Sequence, residues 1–197
     1  MQRFQLGGDS ISDDLFEEAE KLMDCKPVAL AIGLTTDAGP GGVEKLAARC
    51  RELTKILSIP VCNASEADYL ALRTLSARKI AVVTPFNAEI DQHVKTNTEE
   101  AGFIVNAIKG TEAPSLPEIC ETPIDDIREV FREVAQSDCD AILQVGTALP
   151  VVSMIASLEE ELGKPIVACN AALYWQTLRA AGIHDKISGY GRLFMDF

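Results

Sequence analysis

The stretch Lys79-Ile80-Ala81-Val82-Val83-Thr84-Pro85-Phe86-Asn87-Ala88-Glu89-Ile90 decides the fold. It reads as a strand, a turn and the start of a helix. The unbroken apolar run Ile80-Ala81-Val82-Val83 suits a strand covered on both faces, as parallel strands between helices are. Working outward, further β-rich runs fall at 28–33, around Val61, at 103–108, 141–145 and 165–169. Helical patterns at 43–57, 64–75, 87–100, 124–137, 151–162 and 171–181 separate them. Such alternation predicts parallel strands joined by crossover helices. Gly102, then Gly163 and Pro165, punctuate helix ends. Residues 110–122, with Pro114, Pro117 and the following Pro123, read as a loop linking two halves.

A weak internal repeat crosses that loop. One half reads Ile32-Gly33-Leu34-Thr35, a helix, Val61-Cys62-Asn63-Ala64, then Leu72-Arg73; the other reads Gln144-Val145-Gly146-Thr147, a helix, Val167-Ala168-Cys169-Asn170-Ala171, then Leu178-Arg179. Any two βαβ units share some of this likeness. Taken as a true repeat, it predicts two pseudo-symmetric lobes with parallel sheets flanked by helices: residues 1–78 with the tail 183–197, and residues 79–182. A cleft between them would be lined by residues leaving the carboxyl ends of strands, where open α/β sheets place ligands.

Composition narrows the function. The 197 residues are 47% hydrophobic and 24% charged, enough for a substantial core. A formal charge of -12 argues against a nucleic-acid partner, because phosphate binding needs clustered Lys and Arg. No apolar run approaches the ~20 residues that cross a bilayer, and the start lacks a secretory h-region, so a cytoplasmic, membrane-free protein is expected. The six cysteines form no C-x-x-C pair and have no histidine in ligand spacing, so neither a metal site nor a disulfide scaffold is expected. The glycines at 39, 41 and 42 with Lys45 lack the spacing of a phosphate loop. Glu159-Glu160-Glu161 reads as a solvated helix face, and His93 and His184 as solvated rather than basic catalysts.

Three pieces, in order, carry a resemblance: residues 79–90; Leu162-Gly163-Lys164-Pro165-Ile166-Val167 followed by Trp175 and Leu178-Arg179; and Gly189-Tyr190-Gly191-Arg192-Leu193-Phe194. Together the chain resembles the arylmalonate decarboxylase and maleate cis-trans isomerase branch of the aspartate/glutamate racemase superfamily. The resemblance implies a cofactor-independent isomerase, racemase or decarboxylase of a small carboxylic acid. It begins after the family's first strand, so that strand is expected to be missing, by divergence or truncation. It equates Leu34 and Gly146 with the two positions where the superfamily keeps catalytic cysteines. Two tyrosines of the family are matched by Phe16 and Phe86, each change removing a hydroxyl.

What remains at the expected cleft is a set of anion donors. Gly33, Leu34, Thr35, Thr36, Phe86, Gly146, Thr147 and Ala148 form the predicted substrate-binding set. The threonines follow strands and precede helices, where amides and hydroxyls suit a small carboxylate, although each threonine also fits a plain N-cap. Asp37 is the nearest carboxylate. Proton transfer next to a carboxylate needs an acid or base within reach. Cys62 and Cys169, each just past a strand and each followed by Asn-Ala, are the candidate catalytic groups; both also fit small buried residues. Two further readings stay open beside the enzyme: a catalytically silent carboxylate-binding or regulatory homologue, and a truncated family member dependent on a partner chain. A homo-oligomer is compatible with each.

Overall fold

A computed structural model describes residues 10–34 and 42–197, with side chains from Leu15 onward. Helix α1 (Ser10–Leu22) leads to strand β1 (Leu30–Ile32), helix α2 (Gly42–Leu57), β2 (Val61–Asn63) and α3 (Ala64–Thr74). Then come β3 (Lys79–Thr84), α4 (Ala88–Glu100), β4 (Ile104–Gly110), α5 (Leu116–Cys120), α6 (Ile124–Ala135), β5 (Ala141–Gln144), α7 (Ile155–Leu162), β6 (Ile166–Ala168), α8 (Cys169–Ala180) and α9 (Arg192–Asp196). The expected α/β architecture with parallel sheets is present. One sheet pairs β1 with β2, and the other runs β4-β3-β5-β6, every pair parallel.

Periodicity explains the layers. In α6 the buried residues Ile127, Phe131 and Val134 fall at helical spacing, with Asp125 and Asp126 in the first turn and Arg132 in the last, matching the helix dipole. Phe131 is fully buried, a change of surface that stabilises by roughly 1.5–3 kcal/mol. At the centre, Ile80 to Val83 and Ala141 to Leu143 are buried on both faces. A second, smaller core joins α1, α2 and the β1–β2 sheet through Ala19, Leu46, Cys50, Leu53 and Val61. Helices α3 and α8 pack on one another, and each touches strands of both sheets: α3 meets β2, β5 and β6, and α8 meets β1, β2 and β6. They form the joint between the sheets.

Three expectations need correction. The loop expected at 110–122 contains the short helix α5, started by Pro117 in its first turn, a place where proline's missing N–H costs nothing. The helix expected from residue 151 opens as a 3-10 turn, Val152–Met154, before α7 begins. Glu159 is not on a solvated face: it is 7% exposed. Its two oxygens accept the Ile166 and Arg192 amides, each at 2.8 Å, tying the C-terminal tail to the start of β6. Its neighbour Glu161 is paired with Arg128 and Arg132. The expected absence of a first strand concerns residues 1–9, which lie outside the described residues.

Candidate functional site

The carboxyl ends of β3 and β5 are adjacent, because Val83 pairs with Gln144. From β3 the chain turns through Pro85-Phe86, and from β5 through Val145-Gly146-Thr147-Ala148. The two turns meet at Gly146. Its φ is +107°, and a Cβ there would stand 2.6 Å from Pro85 Cδ and 3.5 Å from Phe86 Cζ. Glycine is required twice over, by backbone conformation and by space. The position that the resemblance equates with a catalytic thiol is therefore filled by the neighbouring turn.

The turn after β5 is held from its carbonyl side. Gln144 Nε2 donates to Gly146 O at 2.8 Å, and Asn170 Nδ2 donates to Thr147 O at 2.8 Å. A trans peptide points its carbonyl and the following amide in opposite directions. The Thr147 and Ala148 amides consequently point away from Gln144 and Asn170, and among the described residues neither finds a protein acceptor. Both residues are half-buried. Two adjacent amide donors, fixed in place and bordered by the Phe86 ring, make a cradle suited to an anion.

Cys169 lies behind this turn, at the start of α8. It is fully buried, its thiol donates to Gln144 Oε1 at 3.7 Å, and the Asn170 and Gly146 amides donate to its sulfur. Burial pushes the thiol well above its ordinary pKa, and the charge of Asp68 adds to the rise. Cys62, in β2, is 6% exposed; burial raises its pKa too, with Thr177 on α8 opposing and Glu66 reinforcing. Neither environment favours a thiolate. Gly33 follows β1, with no atom of the described residues within 4 Å of where a Cβ would stand, and Leu34 is 37% exposed. Thr35, Thr36, Asp37 and the glycines at 39 and 41 lie outside the described residues. The structure thus gathers Phe86, Gly146, Thr147, Ala148 and Cys169 at one place. His93 and His184 are exposed, and no cluster of His, Cys, Asp or Glu among the described residues could hold a metal ion.

A family model for arylmalonate decarboxylase matches residues 7–194. The chain belongs to the arylmalonate decarboxylase family. It is 25% identical over 194 residues to the arylmalonate decarboxylase of Bordetella bronchiseptica, covering 95% of this chain and 80% of that protein. The maleate isomerase of Nocardia farcinica is 25% identical over 123 residues, 62% of this chain and 49% of that enzyme. Solved structures agree on the fold. A crystal structure of arylmalonate decarboxylase superposes with a TM-score of 0.86 at 22% identity, covering 96% of this chain and 84% of that one. The maleate isomerase Iso from Pseudomonas putida S16 gives 0.85 at 21% identity, covering 93% and 77%.

Within this arylmalonate decarboxylase family member, the sequence reading missed the groups that shape the turns. Gln144 is a lone polar residue closing an apolar strand, a signal that was available. Asp68 is another: with Ala64, Ala67, Ala71 and Leu72 it lies on the buried stripe of α3, where an acid is out of place. Asp68 is 2% exposed and its Oδ1 has no hydrogen-bond partner among the described residues. Burial raises its pKa well above the usual carboxylate range. Asn170 appeared only as half of a repeat. In β2–α3 the matching Asn63 is the N-cap, accepting the Glu66 amide at 3.0 Å, whereas Asn170 sits inside the first turn of α8 and reaches across to Thr147.

Proposed function

We propose that this arylmalonate decarboxylase family member takes a small carboxylic acid at the turn after β5 and acts on it without a cofactor. The observation that carries the reading is the pair of amides at Thr147 and Ala148 that find no acceptor among the described residues, oriented by Gln144 and Asn170 and bordered by Phe86. Fixed amide donors stabilise an oxyanion without reorganising at the moment of reaction. That serves a bound carboxylate and the enediolate formed when a neighbouring carboxylate leaves as carbon dioxide.

Thiol chemistry here would be acid rather than base chemistry. Decarboxylation requires one proton delivered to the enediolate carbon, whereas racemisation requires two donors on opposite faces. A buried, neutral thiol can supply the first. Of Cys62 and Cys169, Cys169 borders the Gly146 turn, on the buried face opposite the two amides, so proton delivery by this thiol requires the turn to move. Free thiols in this number go with a reducing, cytoplasmic setting, and no helix among the described residues is long and apolar enough to cross a membrane. The division into a lobe of residues 1–78 with 183–197 and a lobe of 79–182 belongs to the same proposal, with the joint formed by α3 and α8.

The test is proton NMR in deuterated water with maleate, arylmalonates, aspartate and glutamate, run beside thermal shift. The expected outcome is a saturable rise in Tm with one of these acids and deuterium at the carbon next to its carboxylate, lost in Cys169→Ser and kept in Cys62→Ser. Stabilisation without any incorporation or turnover would mean a carboxylate-binding protein. No stabilisation and no chemistry with any of them would contradict the proposal.

A further inference from the structure

Thr84, the last residue of β3, and Asp91 in the first turns of α4 lie seven positions apart, and the two meet beneath the turn that carries Phe86. Both are buried, Thr84 completely and Asp91 to 7% exposure. The Thr84 hydroxyl donates to Asp91 Oδ1 at 2.5 Å, and Thr84 Oγ1 in turn accepts the Phe86 amide at 3.1 Å. Gly110, register partner of Thr84, closes the other side. A Cβ on Gly110 would overlap Phe86 O and stand 3.1 Å from Asp91 Oδ2, so only glycine admits this approach. The Thr111 amide donates to Thr84 O at 2.9 Å and the Ala113 amide to Pro85 O at 3.1 Å. The Pro85-Phe86 turn is thereby held on one face, while its other face fills the space beside Gly146.

We infer that Asp91 is a positioning residue for the carboxylate site: through the Thr84 hydroxyl it sets the Pro85-Phe86 turn, which holds the Phe86 ring against Gly146 beside the Thr147 and Ala148 amides. The functional half of this inference rests on the carboxylate binding proposed above. The group needed at 91 is a short acceptor for the Thr84 hydroxyl, so an amide replaces the carboxyl. The group needed at 84 is a hydroxyl, so serine replaces threonine.

Four variants of the full chain separate positioning from general stability: Asp91→Ala and Thr84→Val, which break the relay, and Asp91→Asn and Thr84→Ser, which keep it. Two readouts are taken well below each Tm: the nuclear Overhauser contact between the Phe86 ring and the Gly146 Hα protons, and the apparent Kd for maleate. Asp91→Ala and Thr84→Val should lose the contact and weaken binding by about tenfold, the scale of a small misplacement of a binding group. Asp91→Asn and Thr84→Ser should keep both. If the breaking variants keep both the contact and the affinity, or all four lose affinity in step with Tm, the positioning role is wrong. Should wild type bind neither maleate nor an arylmalonate, aspartate or glutamate while the contact disappears only in the breaking variants, the positioning of Phe86 stands and the carboxylate reading falls. Thr84→Val is nearly isosteric and answers the question even if Asp91→Ala does not fold.

Discussion

Gly146 concentrates the consequences of single residues. Its positive φ would strain any other residue by about 1–3 kcal/mol, and overlap with Pro85 adds about 1–3 kcal/mol more. Gly146→Ala should therefore lower stability by about 2–6 kcal/mol in chemical denaturation. In a Pro85→Ala background, which removes Cγ and Cδ from the contact, the steric part should vanish, leaving a coupling of about 1 kcal/mol or more. Additivity of the two substitutions would show that Pro85 does not occupy that space. Gly146→Cys should behave like Gly146→Ala in stability, because the obstacle is the Cβ and not the sulfur. The resemblance equates this residue with a catalytic cysteine position. It could not reveal that the space was filled, since Pro85 and Gly146 are far apart along the chain and meet only through the pairing of β3 with β5.

Elements were legible where their signal is local. The apolar run of β3, the amphipathic stripe of α6 and the glycine at the end of α7 each state their structure within a few residues. Helix α8 was placed two residues late, because nothing in Ala168-Cys169-Asn170 declares which residue leaves the strand. Glu159 was misjudged for a related reason: in a triplet of glutamates, the one that turns inward is chosen by the tail, which returns from residue 192. Glu159→Ala should strand the Ile166 and Arg192 amides and cost about 2–3 kcal/mol. Limited proteolysis should then cut the tail around 189–192 faster than the core. Equal protection of the tail in variant and wild type would remove Glu159 from the role of anchor.

On the scale of the whole molecule, buried acids set the response to pH. Burial raises the folded-state pKa of Asp68, Asp91 and Glu159, so the folded protein holds these protons more tightly than the unfolded chain. Their contribution is fully present below the unfolded carboxylate range of about 4 and is lost as pH rises through the folded values. Asp140, whose carboxylate accepts the Arg78 and Lys79 amides, has a lowered pKa and works in the opposite sense, losing stability as pH falls. Asp68 is the most buried of the raised acids, and Asp68→Asn should be more stable than wild type by a margin that grows as pH rises above about 4. A margin that stays constant with pH would mean that Asp68 titrates alike in the folded and unfolded chain. The α/β class and strand order of events along the chain could be read before any coordinates, because each βα unit announces itself. How α3 and α8 join the two sheets could not, since their buried faces show which side of each helix turns inward but not which strands it meets.

The central claim is that the turn after β5 offers a carboxylate two amides that have no acceptor among the described residues. A titration of the ¹⁵N-labelled chain with maleate and with an arylmalonate tests it most directly, followed by amide chemical shifts. The amides of Thr147 and Ala148 should move downfield and saturate together with one of these acids, and Asn170→Ala, which releases the Thr147 carbonyl, should blunt the change. Saturable shifts elsewhere in the chain, with Thr147 and Ala148 unmoved, would contradict it.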